Sequence, residues 1–585
     1  MNQSPPVHRL KQVFSSLPYN PMGYFSEGHI CQCLSRISSF RRFSPVTIFG
    51  NRLKTGKQFV ESVIGLAQGL LEIGLRRGDV VAIAAVNSDL YLELLLAVAY
   101  VGAIAAPLNY RWSFDEARLA IEAVTPVMLV VDESCSFWSL ELQNTNLDFL
   151  RWHAFLGEIS SFHSNTGNVL TTETLKKPSQ ISKVLDYAWA PEGIALICFT
   201  SGTTGRPKGV SITHTALIVQ SLAKIAIVGY NEDDVYLHTA PLCHIGGISS
   251  GMAMLMVGAC HILIPKFEVE SALKAIEHHQ VSSLLTVPAM MADMVSNIRK
   301  NKAWKGGEHV KKILNGGGGL SVEMINNAAT IFPCAKIISA YGMTETCSSL
   351  TFMILYDPGE KKSDEPFQNI CGNKSSVINK PVGICVGKPA PHVELQIHGD
   401  GSSLIGRILT RGPHVMLRYW DQAPAAVSKL EVEGWLDTGD IGWIDDYGAL
   451  WLIGRLNDRI KSGGENVYPE EVEAVLRQYP GVSSAVVVGL PDSRLTEMVA
   501  ACIQIKEEWQ WNNQITSHQL EREDLRLSSD ILQLHCKQRN LTGFKIPKIF
   551  ILWRKPFPLT TTGKLRREEV RRQVMAHPQV FPSHL

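Results

Sequence analysis

The most regular feature of the chain is an alternation of short β-rich apolar runs with amphipathic stretches. Val80–Val86, Val127–Asp132, Ile194–Thr200, Ser282–Val287, Lys311–Leu314 and Lys336–Ala340 have the length and the Val/Ile/Leu bias of buried strands. Between such runs, Lys57–Ile73 and Ser271–His279 repeat their apolar positions with the period of a helix. Gly74 stands where the first of these helices would end, in the left-handed conformation that glycine adopts without strain. Alternation of this kind predicts an α/β fold with largely parallel sheets, because crossover helices join parallel neighbours.

The most apolar stretches, Leu90–Leu108 and Ile248–Pro265, are interrupted by Glu93 and His261 and fall short of a clean span of ~20 residues. Both are expected in the core, and no membrane span is expected. Two polar inserts, 361–380 and 507–530, lack a periodic apolar face and are expected to be surface excursions. A domain boundary is expected near Arg455–Asp458, after the β-like Trp451–Ile453 and before a helix Glu470–Gln478 introduced by Pro469. This divides the chain into a large unit, 28–456, and a smaller one, 457–585.

Composition narrows the function classes. A chain of 585 residues needs more than one core. Lys plus Arg number 56 against 55 Asp plus Glu, which leaves no global field for nucleic acid or an anionic membrane, so any phosphate binding must be local. The 12 cysteines contain no C-x-x-C pair and only the close couple Cys31 and Cys33, so neither a zinc ribbon nor a disulfide framework is expected, and the compartment is expected to be reducing. No acidic residue precedes Glu27, and Arg9, Lys11, Ser15 and Ser16 give residues 1–27 the character of a targeting segment or a disordered terminus. The final Ser583-His584-Leu585 is close to the S-K-L peroxisomal address.

The strongest chemical signal is Thr200-Ser201-Gly202-Thr203-Thr204-Gly205-Arg206-Pro207-Lys208-Gly209, which follows the strand candidate Ile194–Phe199. It differs from a Walker A loop: glycine follows Lys208, and Val210-Ser211-Ile212-Thr213 alternates like a second strand. A strand–loop–strand has no helix dipole behind an anion. Phosphate would be held by backbone N–H groups, by the Thr and Ser hydroxyls and by the Lys208 charge. Tyr341-Gly342-Met343-Thr344-Glu345 follows the strand Lys336–Ala340, at a carboxyl end where ligands bind in open α/β sheets. The four glycines after Asn315 let backbone lie close to a flat ligand.

These runs resemble the ordered motifs of the acyl-CoA synthetase, luciferase and peptide-synthetase adenylation superfamily. Trp435-Leu436-Asp437-Thr438-Gly439-Asp440, the block from Gly454 to Pro469 and Pro558-Leu559-Thr560-Thr561-Thr562-Gly563-Lys564 complete the set, and the resemblance covers the chain from about Ile30 to its end. It implies an adenylate-forming ligase fold, with a large N-terminal adenylation lobe and a small mobile C-terminal α+β lobe hinged near Asn457. The family often has aspartate or lysine at that hinge position, and asparagine tolerates the unusual backbone angles a pivot needs.

The resemblance also implies an activity: ATP converts a small-molecule carboxylic acid into acyl-AMP, which then acylates coenzyme A. Lys208, Thr200, Ser201, Gly202, Thr203, Thr204 and Gly205 would hold phosphates. Ala340, Tyr341 and Gly342 would hold adenine against Gly317 and Gly318, with Thr344 on phosphate and Glu345 with Thr204 on Mg²⁺. Asp440 would accept both ribose hydroxyls, and Arg455 would contact ribose and phosphate. Lys461, Gly463 and Gly464 would serve nucleotide or coenzyme A, Lys564 would be the catalytic lysine, and His244 would stand at the mouth of the acyl pocket.

Within the superfamily, His244–Met254, the tetraglycine loop and Cys31–Arg36 are similar to the plant branch that activates 2-succinylbenzoate for phylloquinone synthesis, expected in chloroplasts and peroxisomes. Gly247, Ser250 and Gly251 are expected to leave room for a substituted ring and to offer hydroxyls to its polar groups. No cation for the second carboxylate is evident. Hydroxycinnamates such as 4-coumarate and medium-chain fatty acids are the competing substrates, and a luciferase-like oxidase is the competing activity. A carrier-loading module and a non-catalytic nucleotide-binding protein are disfavoured, the first by the short tail after the last motif and the second by the full charged set.

Overall fold

The computed structural model describes the chain apart from residues 1–27, 144, 146, 159–169, 179–185, 201–206, 302–303, 360–382, 400–403, 421–429, 432–433, 457, 463–464, 493–494, 513–524, 540, 542, 561–564 and 577–585. Three main sheets organise it. A seven-stranded sheet runs Leu170–Thr171, Trp152–Phe155, Met128–Val131, Val80–Ala84, Ile104–Pro107, Ile194–Thr200 and Lys208–Thr213, parallel throughout except for its last pair. The larger, fourteen-stranded sheet has a parallel half from Pro45–Phe49 through Cys260–Leu263, Val235–His238, Ser283–Thr286 and Lys312–Asn315 to Lys336–Met343.

Beyond Lys336–Met343 that sheet turns antiparallel through Ser348–Tyr356, Ile384–Pro389, Leu450–Arg455, Trp435–Ile444, Gly406–Arg411 and Glu394–His398. This antiparallel wing has no counterpart in the expectation of largely parallel sheets. Its strands carry the half-polar patterns of surfaces buried on one face, as in Glu394–His398, where exposed and half-buried positions alternate.

Where the sequence predicts helices they form. Gly56–Glu72 begins at a capping box in which Thr55 accepts from the Gln58 backbone and the Gln58 side chain returns to Thr55, an arrangement worth about 1 kcal/mol. Gly74 follows it with φ +91°, as its glycine predicts. The two interrupted apolar stretches lie in the core. Glu93 is fully buried in the helix Asp89–Tyr100 and is met by Lys54 at 2.5 Å and Lys176 at 3.1 Å. His261 is buried against His238, with ring nitrogens 2.8 Å apart. Burial pushes both rings below the usual imidazole range, so a single shared proton position suffices.

The third sheet is built entirely from residues after Arg459. Val482–Asp492 and Thr496–Ile505 form its long antiparallel centre, Ile460–Ser462 and Glu465–Val467 extend one side, and Ile549–Leu552 joins Thr496–Ile505 in parallel. Alternation along Val482–Asp492 sends Ala485 and Val487 to one face, with the helices Pro469–Leu476 and Ser529–Gln538, and Val486 and Val488 to the other, with the helix Arg567–Met575. The insert expected as a surface excursion is only partly that. Gln510–Trp511 pairs with Arg526–Leu527, and Trp509 covers Gly481, where an added Cβ would sit 2.4 Å from the indole. Residues 513–524 and the insert 361–380 lie outside the described residues.

One ion cluster ties this unit together. The Arg567 guanidinium pairs with Glu473, with Glu470 at 2.9 Å and with Asp458 at 3.7 Å, and donates to the Val487 carbonyl at 2.8 Å. Burial pulls its pKa down, but Glu473 and Glu470 outweigh that and hold it above the ordinary arginine value.

Candidate active site

The two strands expected to flank the candidate phosphate loop are present. Ile194–Thr200 and Lys208–Thr213 pair antiparallel with Thr200 opposite Lys208, so residues 201–207 connect two neighbouring strand ends. The far edge of Lys208–Thr213 is taken by a segment the sequence reading did not single out. Trp420 N–H donates to the Gly209 carbonyl at 2.8 Å, and Ser211 and residues 417–418 exchange two further bonds. Gly209 is needed there, since a Cβ would lie 2.8 Å from Ile197 and 3.4 Å from Trp420.

Tyr419, in that segment, links two motifs. Its ring lies 5.5 Å from the Lys208 ammonium, and its hydroxyl donates to Glu345 Oε1 at 2.8 Å. Glu345 is only 6% exposed, on the short turn Thr344–Thr346, and its carbonyl accepts from Met416 N–H at 2.8 Å. Cys347 and Ser348 follow it with φ of +53° and +107°, two consecutive left-handed residues without a glycine.

Tyr341 does not lie past its strand, as expected, but within it. Lys336–Met343 is prolonged by pairing with Ser348–Tyr356, with a register shift between Tyr341 and Gly342. The Tyr341 hydroxyl donates to Asp440 Oδ2 at 2.5 Å, and Arg455 Nε lies 3.3 Å from Asp440 Oδ1. Asp440 and Arg455 are direct neighbours on adjacent antiparallel strands, which fixes both before any ligand arrives. Burial first, and then the Asp440 charge, push the Tyr341 phenol well above its usual pKa, so it remains a donor. Burial draws Arg455 down, but Asp440 and Asp458 more than restore it.

The tetraglycine loop leaves Lys312–Asn315, the parallel neighbour of the Tyr341 strand, so the two motifs project from adjacent carboxyl ends. Gly317 takes φ +71°, and Asn315 Nδ2 donates to the Gly318 carbonyl at 2.7 Å, closing the loop on itself. Ala340 packs partly buried beside Tyr341. His244 caps the helix Ile245–Val257, below a turn that Asn87 holds through the Ala240 carbonyl at 3.0 Å and Leu242 N–H at 2.7 Å.

The room expected at Gly247 and Gly251 is not open. A Cβ at Gly247 would meet the Pro241 carbonyl at 2.3 Å, and one at Gly251 the His238 ring at 3.1 Å, so both glycines serve close packing. Ser250 is fully buried, and its hydroxyl accepts from the Lys224 ammonium at 3.1 Å. Lys461 is exposed, and its N–H donates to Glu497 Oε2 at 2.8 Å. Ser201, Gly202, Thr203, Thr204, Gly205, Asn457, Gly463, Gly464 and Lys564 lie outside the described residues.

The Thr200–Lys208 hairpin, the buried Glu345 carboxylate beside it and the Tyr341–Asp440–Arg455 chain are thus fixed by neighbouring strands, and the chain belongs to the AMP-binding enzyme family. Residues 41–420 match that family's model, and residues 471–564 match its C-terminal domain. The 2-succinylbenzoate–CoA ligase, chloroplastic/peroxisomal, of Arabidopsis thaliana is 54% identical over 96% of this chain and 100% of its own. The indoleacetate–CoA ligase of Aromatoleum aromaticum is 30% identical over 87% of this chain and 91% of its own. Among solved structures, o-succinylbenzoate CoA synthetase from Bacillus subtilis, in complex with the acyl-adenylate intermediate OSB-AMP, superposes with a TM-score of 0.68 at 24% identity, covering 92% of this chain and 97% of that one. Among the described residues no helix is long and apolar enough to cross a membrane.

Proposed function

We propose that the chain is an acid–thiol ligase that converts 2-succinylbenzoate, ATP and coenzyme A into 2-succinylbenzoyl-CoA, AMP and diphosphate, a step in phylloquinone synthesis. The full-length similarity to the Arabidopsis ligase carries the substrate assignment. The candidate site supports the following chemistry. A carboxylate is a poor acyl donor because it would expel oxide; adenylation replaces that with AMP, which departs readily.

Asp440 would accept the ribose hydroxyls while Tyr341 and Arg455 hold its carboxylate in place. Lys208 and Lys564 would stabilise charge on the phosphates as the substrate carboxylate attacks the α-phosphorus. Glu345 suits a hard cation: it is an oxygen donor, buried, oriented by Tyr419, and adjoins the phosphate hairpin. The cation would be shared with the phosphates. Mg²⁺ bound there would neutralise the departing diphosphate. For thioester formation the small lobe, 457–585, would swing about Asn457, withdrawing Lys564 and bringing Gly463 and Gly464 to the thiol.

ATP–pyrophosphate exchange across a panel of acids tests this reading. The expected kcat/KM with 2-succinylbenzoate exceeds that with 4-coumarate or octanoate by at least about tenfold, or ~1.4 kcal/mol. A preference for either competitor removes the substrate and leaves the ligase. Light emission with oxygen uptake would favour the oxidase instead.

The tail Ser583-His584-Leu585 would act as a receptor-read address, and the first 27 residues as a plastid-directing segment. Deleting the last three residues is expected to remove the peroxisomal pool of an N-terminally tagged protein without altering turnover. A full-length tagged protein that never enters peroxisomes would make the tail coincidental.

A further inference from the structure

The proposed substrate has two carboxylates, and only one reacts at phosphorus. The other enters the site as a charge that needs donors. Among the described residues, the helix His214–Val228 carries a candidate. Lys224 lies on it with no exposed surface and, among the described residues, forms no ion pair with a carboxylate. Its ammonium instead donates to three hydroxyls, Ser249 Oγ at 2.5 Å, Ser250 Oγ at 3.1 Å and Ser348 Oγ at 3.2 Å. A buried ammonium met only by neutral acceptors is costly to keep, which singles this one out.

The three serines are not equivalent. Ser249 and Ser250, on the helix that begins after His244, are fully buried. Ser348 is half-buried and follows Glu345 by three residues. A hydroxyl that accepts from an ammonium keeps its own proton to donate elsewhere. The Ser348 hydroxyl also lies 3.4 Å from that of Ser349, and the segment carrying both is held from the same helix. Gln220, one turn before Lys224, donates to the Thr346 carbonyl at 3.1 Å and the Ser349 carbonyl at 2.6 Å, and Ser348 keeps φ +107° between them.

We propose that Lys224 is a positioning residue that selects for a dicarboxylic substrate: it orients Ser348 so that this hydroxyl donates to the ring carboxylate, and its charge offsets that carboxylate through the serine. The inference rests on the 2-succinylbenzoate reading. Burial brings the Lys224 pKa down to about 7, with nearby Cys347 acting in the opposite sense. The titratable groups around the cluster are held neutral by burial: Cys347 is pushed up to about 12, Tyr236, bonded to Ser250, is pushed up, and His238, against Gly251, is pushed well down. Lys224 therefore titrates near neutrality in the free protein, and an arriving carboxylate draws a proton onto it.

The test uses the full chain and two acids that differ only in the ring carboxylate, 2-succinylbenzoate and 4-oxo-4-phenylbutanoate. In ATP–pyrophosphate exchange, Lys224→Met and Ser348→Ala are each expected to lower the kcat/KM ratio of diacid to monoacid by at least about tenfold, chiefly through KM for the diacid, with KM for ATP unchanged. Equal losses for both acids would mean a structural role and overturn the proposal. If Lys224→Met fails to fold, Ser348→Ala and the wild-type pH profile decide. That ratio is expected to fall about tenfold per pH unit above about 7, as the neutral amine takes over; a ratio flat to high pH overturns the proposal. Wild-type protein that activates neither acid overturns the substrate reading and this inference with it. A wild type that uses the diacid, beside variants with an unchanged ratio, overturns the inference alone.

Discussion

Lys564→Ala is expected to slow acyl-adenylate formation by about a thousandfold, ~4 kcal/mol in the barrier, while leaving thioester formation from supplied acyl-AMP within a few-fold. The asymmetry comes from the charge balance of the two steps. In the first, negative charge redistributes between an attacking carboxylate, the α-phosphate and a departing diphosphate, and a lysine bridging the first two is most valuable at the transition state. In the second, the nucleophile is a thiol and the leaving group AMP, and the lobe that carries Lys564 would have turned away. ATP–pyrophosphate exchange reads the first step, and rapid quench of acyl-AMP with coenzyme A reads the second. Equal damage to both would dismiss the swinging lobe.

Gly342→Ala is the second large effect. An added Cβ would lie 1.6 Å from the Ser348 carbonyl oxygen and 2.6 Å from its carbon, both main-chain atoms that no rotamer change can move aside. Relief requires the strands Lys336–Met343 and Ser348–Tyr356 to part at the register shift between Tyr341 and Gly342. A cost of about 3–5 kcal/mol is expected, at the upper end for single substitutions. The damage falls on both sides of the site, since Tyr341 hydrogen-bonds Asp440 on one strand and Glu345 opens the other. Melting at a markedly lower temperature, with exchange activity down more than about a hundredfold in the folded fraction, is the expected result. A variant with wild-type melting and activity would show that the strands part freely there.

Local pattern carried much of this in the sequence. The alternation of Val210 to Thr213 announced a second strand behind the phosphate loop, and Thr200 does face Lys208 across that hairpin. Gly74 marked a helix end, and the glycines after Asn315 marked a loop with a left-handed residue. Long-range partnerships were not legible. Tyr419 joins Lys208 to Glu345 across more than 70 residues on one side and 200 on the other, from a segment with no recognisable motif of its own. Lys224 left a fainter signal, as Gln220 and Lys224 are one turn apart in a mostly apolar helix and so share a face. The room expected at Gly247 and Gly251 was misread because a small residue signals close approach without saying what approaches, and here the visitors are the Pro241 carbonyl and the His238 ring.

The Arg567 cluster bears on how the two half-reactions take turns. Arg567 stands three residues after Lys564 in the chain, and its guanidinium grips Asp458 beside the expected pivot, Glu470 and Glu473 on the helix Pro469–Leu476, and the centre of the sheet through Val487. If the small lobe swings as proposed, contacts of this kind would make it turn as one piece, like a key with two bits cut on opposite edges. Any rotation that engaged one edge would disengage the other by the same angle. On that proposal, admission of the thiol would require withdrawal of the lysine, and rigidity alone would set the order of the two half-reactions.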